Sequence, residues 1–147
     1  MHTTVRAVAL AATFLLSTAA HAIDFRSVTE PAILFDSPSE KGKRLFIIAA
    51  GTPVEIVVSL DKWVKVRDAA GSINWIERRV LSDKRTVVVT SARAVVRQRA
   101  TADAPSAFEA VKDIVLEVAG APTDGWLAVR HKDGTSGFVR VTEVWGL

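Results

Sequence analysis

The chain has 147 residues, of which 49% are hydrophobic and 24% charged, with 19 basic and 16 acidic side chains and no cysteine. A net charge of +3, with acids and bases interleaved as in "VRDAAG" and "WIERR", argues against nucleic acid as a partner. Lack of cysteine excludes disulfides, thiolate nucleophiles and soft metal ligands.

The chain opens "MHTTVRAVALAATFLLSTAAHA", with one positive side chain, Arg6, then an apolar run from Ala7 to Leu16, then Ala20-His21-Ala22. Small residues at the two positions read by signal peptidase give residues 1–22 the layout of a cleaved signal peptide. The run is only about half of the roughly 20 apolar residues that a spanning helix needs. An exported chain of residues 23–147 is expected, with 18 basic against 16 acidic groups once Arg6 is gone. No cysteine follows the cleavage site to carry a lipid, and no later segment has the length and apolarity for stable membrane insertion.

From Ile33 onward the pattern is that of strands. "AILF", "FIIA", "VEIVVSL", "WVKV" and "INWI" are short, rich in β-branched and aromatic residues, and bounded by Pro, Gly, Asp or Ser. "TVVVT", "AVVRQ", "IVLEV", "WLAVR" and "SGFVRV" follow in the second half. "PSAFEAVKD" alone admits a turn of helix. Many short strands with closely spaced turns predict an all-β chain of small barrels or sandwiches.

The two halves repeat one another. "DKWVKVRDAAGSINWI" from Asp61 aligns without a gap on "DGWLAVRHKDGTSGFV", placing Trp63 on Trp126, Arg67 on Arg130, Gly71 on Gly134 and Trp75 on Phe138. At an offset of 62, Leu34 matches Val96, Phe46 matches Phe108 and Glu55 matches Glu117; one extra residue near Ala121-Pro122-Thr123 then gives the offset of 63. A period of this length marks a repeated structural unit. The expected organisation is a first module over 23–81, a short linker over 82–85 and a second module over 86–147. Four linker residues are too few for a loose tether, so the modules are expected to touch.

Each repeat contains a hairpin whose loop, "DAAGS" or "HKDGT", has a late glycine suited to positive φ. Pairing Arg67 with Ile73 puts Val64 opposite Ile76 on one face, with Trp63 opposite Glu77 and Lys65 opposite Trp75 on the other. The aliphatic face is predicted to be core. That leaves Trp63 and Trp75 in one module, and Trp126 and Phe138 in the other, facing away from it.

A hairpin of the form "GW-x-x-V-R … G-x-x-G-W-V" resembles the bacterial SH3-like (SH3b) domains. The junction "WIERRVLSDKRTVVV" and the closing "FVRVTEVWGL" are similar to exported tandem SH3-like proteins of Gram-negative bacteria. Two tandem five-stranded barrels, a periplasmic location and a binding role toward cell wall or protein are what the resemblance implies. The chain departs from the usual "V-R-x-G-P" opening, reading "LFDSPS" and "VRQRAT", and has Asn74 where the second copy keeps Gly137.

The residue inventory points away from catalysis. After the leader the only histidine is His131, in a hairpin loop whose counterpart is Asp68. One histidine cannot anchor a zinc site, and nucleophile-elbow and phosphate-loop sequences are missing, so no catalytic residue, metal or cofactor is expected. Glu55 and Glu117 read as the wet side of alternating strands. Ligand contact is expected from Trp63, Trp75, Trp126 and Phe138, whose rings offer large rigid area, and from Arg67 and Arg130, which suit a carboxylate. Interface packing between modules is the competing use for the same rings, and Trp145 is expected to seal a barrel. Peptidoglycan, through its peptide part, is the first expected partner; an adaptor binding extended or proline-rich segments of an envelope protein is the second.

Overall fold

The computed structural model describes residues 22–147, so residues 1–21 of the expected signal peptide lie outside the described residues. The first module contains β1 (Phe25–Val28), β2 (Ala32–Phe35), β3 (Arg44–Ile48), β4 (Pro53–Ser59), β5 (Trp63–Arg67), β6 (Ile73–Glu77), a 3₁₀ turn (Arg78–Val80) and β7 (Leu81–Ser82). The second contains β8 (Thr86–Val89), β9 (Arg93–Arg97), β10 (Ser106–Val111), β11 (Val115–Val118), β12 (Trp126–Arg130), β13 (Ser136–Arg140), a 3₁₀ turn (Val141–Glu143) and β14 (Val144–Trp145). The segment that admitted helix, 105–113, carries strand β10.

Both modules form seven-stranded sheets of the same order, β3-β2-β6-β5-β4-β1-β7 and β10-β9-β13-β12-β11-β8-β14. The fold is all-β, two tandem SH3-like barrels. Each sheet has two strands beyond the five that the resemblance implied; in the first module these are β1 and the two-residue β7, which pair with each other beyond β4. With only three-residue helical turns among the described residues to cover them, each sheet curls over its own apolar face.

The interior of the first barrel gathers Val28, Leu34, Val54, Val64, Val66 and Ile76, and that of the second Val87, Val96, Leu116, Leu127, Val129 and Val139. Strand alternation explains the selection, since these residues point inward from successive strands. The hairpin register is the one read from the sequence: Val64 opposite Ile76, Trp63 opposite Glu77, Lys65 opposite Trp75. Gly71 and Gly134 hold the loops at φ of 87° and 92°, where a side chain is strained.

Residues 83–85 join the two sheets, and the modules meet around them. Phe25 stands edge-on to Trp145, with ring centroids 5.0 Å apart, so Trp145 packs across the junction as well as closing its own sheet. Thr86 Oγ1 donates to the Gly51 carbonyl at 2.6 Å, and Arg26 pairs with Asp83 at 3.2 Å. Arg85 lies over the Phe25 ring and donates to the Gly146 carbonyl.

Candidate ligand-binding faces

The outer face of β5–β6 brings Trp63, Lys65, Trp75 and Glu77 together because side chains two apart on a strand share a face. Trp63 and Trp75 are both half-buried. The Lys65 ammonium lies 5.1 Å from the Trp75 ring centroid, within cation–π range. Phe35, buried at 5% exposure, supports this face: it is in register with Trp75 on the neighbouring strand, and its ring stands edge-on to Trp63 at 5.2 Å. Phe35 was missed by the sequence reading, since its repeat partner is Arg97 and the pattern there carries no aromatic.

The turn before Trp63 is pinned. Arg78 Nε donates to the Asp61 carbonyl at 2.9 Å, and the same guanidinium donates to the Leu60 carbonyl. Glu77 pairs with Arg79 at 2.7 Å, and Arg79 also reaches Glu30 at 3.0 Å. One edge of the aromatic face is therefore charged.

The matching face of the second module is closed. Trp126 is 7% exposed rather than open, and Arg140, directly opposite on β13, lies over its ring at 4.5 Å. Arg97 takes the place of Phe35, is in register with Phe138, and donates to the carbonyl of the buried Ala104 at 2.8 Å. That bond draws the β9–β10 loop inward. A Cβ on Gly137 would sit 2.6 Å from the Arg97 carbonyl oxygen, so β9 lies close against β13. Asn74 at the equivalent place carries a Cβ and forbids the same approach in the first module. Phe138 remains half-buried, beside Ala128 rather than a lysine.

Arg67 and Arg130 continue the same faces two residues beyond Lys65 and Ala128, and each is paired within its own sheet. Arg67 donates to both carboxylate oxygens of Glu55, at 3.1 and 2.9 Å, from the adjacent strand β4. Arg130 donates to Glu117 at 3.3 Å from the same position in its own sheet. The carboxylates that the arginines engage are thus internal. Glu117 also accepts from Lys84, and this bond, before all else, holds its carboxyl below the ordinary glutamate range. The sequence signal for these pairs was the joint recurrence of Glu and Arg at matching repeat positions.

His131 leans on Phe108, with ring centroids 5.9 Å apart, and faces Asp133 at 3.2 Å. Among the described residues no three His, Cys, Asp or Glu side chains converge as a metal site, and no helix is long and apolar enough to cross a membrane.

Two tandem antiparallel barrels of identical strand order, each with an aromatic face on its central hairpin, define a small repeated binding fold. The chain belongs to the bacterial SH3 domain family, whose domain profile matches it twice, over residues 28–83 and 90–146. Domains of this family are binding modules, generally without catalytic activity. No curated protein matches the chain. Among solved structures it is similar to NlpC1 from Trichomonas vaginalis, at 12% identity over 89% of this chain and 48% of that one, with a TM-score of 0.38. NlpC2 from the same organism matches at 11% identity over 88% and 50%, with a TM-score of 0.39. An NlpC/P60 family protein from Bacillus cereus matches at 14% identity over 83% and 56%, also with a TM-score of 0.39. The chain therefore spans about half the length of the solved structures it matches.

Proposed function

We propose that the protein is a non-catalytic, exported binding module of the cell envelope, at work in the periplasm, and that its first barrel recognises peptidoglycan through the peptide part. The observation that carries this reading is the open face of β5–β6, where half-exposed Trp63 and Trp75 lie beside Lys65 and Glu77. Rings of this size take up apolar side chains of an extended strand, and the Lys65 ammonium beside them favours a ligand that also bears a carboxylate. Peptides with free carboxylate groups have that character. The leader-like start of the sequence supports a location where the wall is met. A non-catalytic role is supported by the engagement of Glu55 and Glu117, each paired with an arginine of the neighbouring strand.

Co-sedimentation with purified peptidoglycan sacculi tests the proposal. Saturable binding is expected, lost in Trp63→Ala when circular dichroism shows that variant folded. Sedimentation no greater than that of an unrelated protein of similar charge would refute wall recognition. Capture instead of immobilised proline-rich peptides by the same face would assign it to an envelope adaptor.

A further inference from the structure

A cleft of about 380 Å³ lies where the modules meet, within the range of roughly 300–1,000 Å³ usual for small-ligand sites. Its walls come from both barrels and from the linker between them. Val28 and Ala50 of the first module and Val115 of the second form an apolar wall. Ser27, Ser82, Lys84, Glu117 and Lys132 supply the polar part. None of these groups belongs to the aromatic face of β5–β6.

The charges around the cleft are unequal. Glu117 is satisfied on both oxygens, by Lys84 and by Arg130. Lys132 lines the cleft and has no ion-pair partner among the described residues. Two lysines and one carboxylate therefore line the cleft, with Glu117 further engaged by Arg130 behind it, and the surplus positive charge favours an anion. The hydroxyls add direction. Ser27 Oγ and Ser82 Oγ lie 3.0 Å apart, and Ser82 Oγ also accepts the Lys84 backbone N–H at 3.3 Å. Two hydroxyls joined by one bond keep one proton free to donate. Ser27 is itself 2% exposed, a buried polar group on the edge of a site rather than a surface residue.

We propose that this inter-module cleft binds the free carboxylate end of a short peptide with small apolar side chains. The carboxylate lies by Lys132 and Lys84 and accepts from the serine pair, and the methyl-sized side chains pack on Val28, Ala50 and Val115. The ligand bridges the two barrels, which gives the tandem a task that neither module performs alone. This site stands apart from the aromatic face and does not rest on the reading of that face.

The test is a titration of the protein, followed by amide chemical shifts, with N-acetyl-alanyl-alanine as the free acid and as its C-terminal amide. Acetate and inorganic phosphate serve as further probes. The acid is expected to shift the amides around Ser82, Lys84 and Lys132 saturably, and the amide form to leave them unmoved. Lys132→Ala is expected to weaken the acid about tenfold, the loss of one charge-assisted contact, with the rest of the spectrum intact; Trp63→Ala is expected to leave it unchanged. Equal response to acid and amide, no saturable shift, or full binding by Lys132→Ala would overturn the site. Acetate or phosphate binding as tightly as the dipeptide acid would overturn the peptide-end assignment.

Discussion

The two barrels share strand order and hairpin register, yet they present opposite versions of the same face. In the first, Trp63 has Glu77 across from it and Phe35 edge-on beside it, and its ring is half-open. In the second, Trp126 has Arg140 across from it, Arg97 in place of Phe35, and its ring is buried. One fold thus supports a display surface and a sealed one. At Trp126 the Arg140 guanidinium covers the indole, whereas Glu77, opposite Trp63, is turned to Arg79 and leaves that ring half-open. Sealing also frees the second barrel to serve as a brace, holding Trp145 against Phe25.

The comparison can be broken most forcefully at Gly137. Gly137→Asn copies the first module into the second and drives a Cβ into the Arg97 carbonyl. A loss of about 2–3 kcal/mol in stability is expected from such overpacking, read as a lowered urea midpoint, whereas Asn74→Gly in the first barrel is expected to cost far less. Next in size is Trp145→Ala, which removes the ring that meets Phe25 across the junction. A cost of about 2 kcal/mol is expected, with the two barrels then melting separately in calorimetry. A single unchanged transition would show that the barrels do not depend on this contact.

Arg140→Ala sharpens the comparison, since it uncovers Trp126 without touching the core. About 0.5–1 kcal/mol of stability is at stake in an indole–guanidinium contact of this kind, and tryptophan emission should move to the red. The smallest effect is expected at the outer strands. β3 exposes Phe46 and Ile47, at 60% and 79%, where β10 carries Glu109 paired with Arg93 at 2.7 Å. Ile47→Glu copies the guarded edge and is expected to change stability by less than about 0.5 kcal/mol, as exposed substitutions do.

How much of this was legible in the chain follows from where the repeat is strong. The central hairpin has the same length in both copies, with glycine at the same loop position, so period-2 alternation fixed the register of Trp63, Lys65, Trp75 and Glu77. Strand β1 was not legible: "FRSV" holds a serine at a buried position, which pattern reading scores as loop, and only the bond from Ser27 to Ser82 makes that burial tolerable. Trp63, Trp75 and Phe138 are half-buried on the face that alternation gave them, but Trp126, expected on the same kind of face, is buried. Its burial depends on where Arg140 and the β9–β10 loop lie, and such tertiary contacts leave no period in the sequence. Arg67 and Arg130 were expected to meet a ligand carboxylate. The structure pairs Arg67 with Glu55 and Arg130 with Glu117 on the adjacent strand of each sheet, a strand pairing that alternation within one strand does not reveal.

The central claim is that the residue opposite Trp63 in one barrel and Trp126 in the other decides whether that ring is open to a ligand. Its most direct test is sacculus binding by Glu77→Arg and by Arg140→Glu, with Glu77→Gln to control for loss of the Arg79 pair. Glu77→Arg should seal Trp63 and abolish binding, Glu77→Gln should retain it, and Arg140→Glu should add a second site. Undiminished binding by a folded Glu77→Arg variant would contradict the claim.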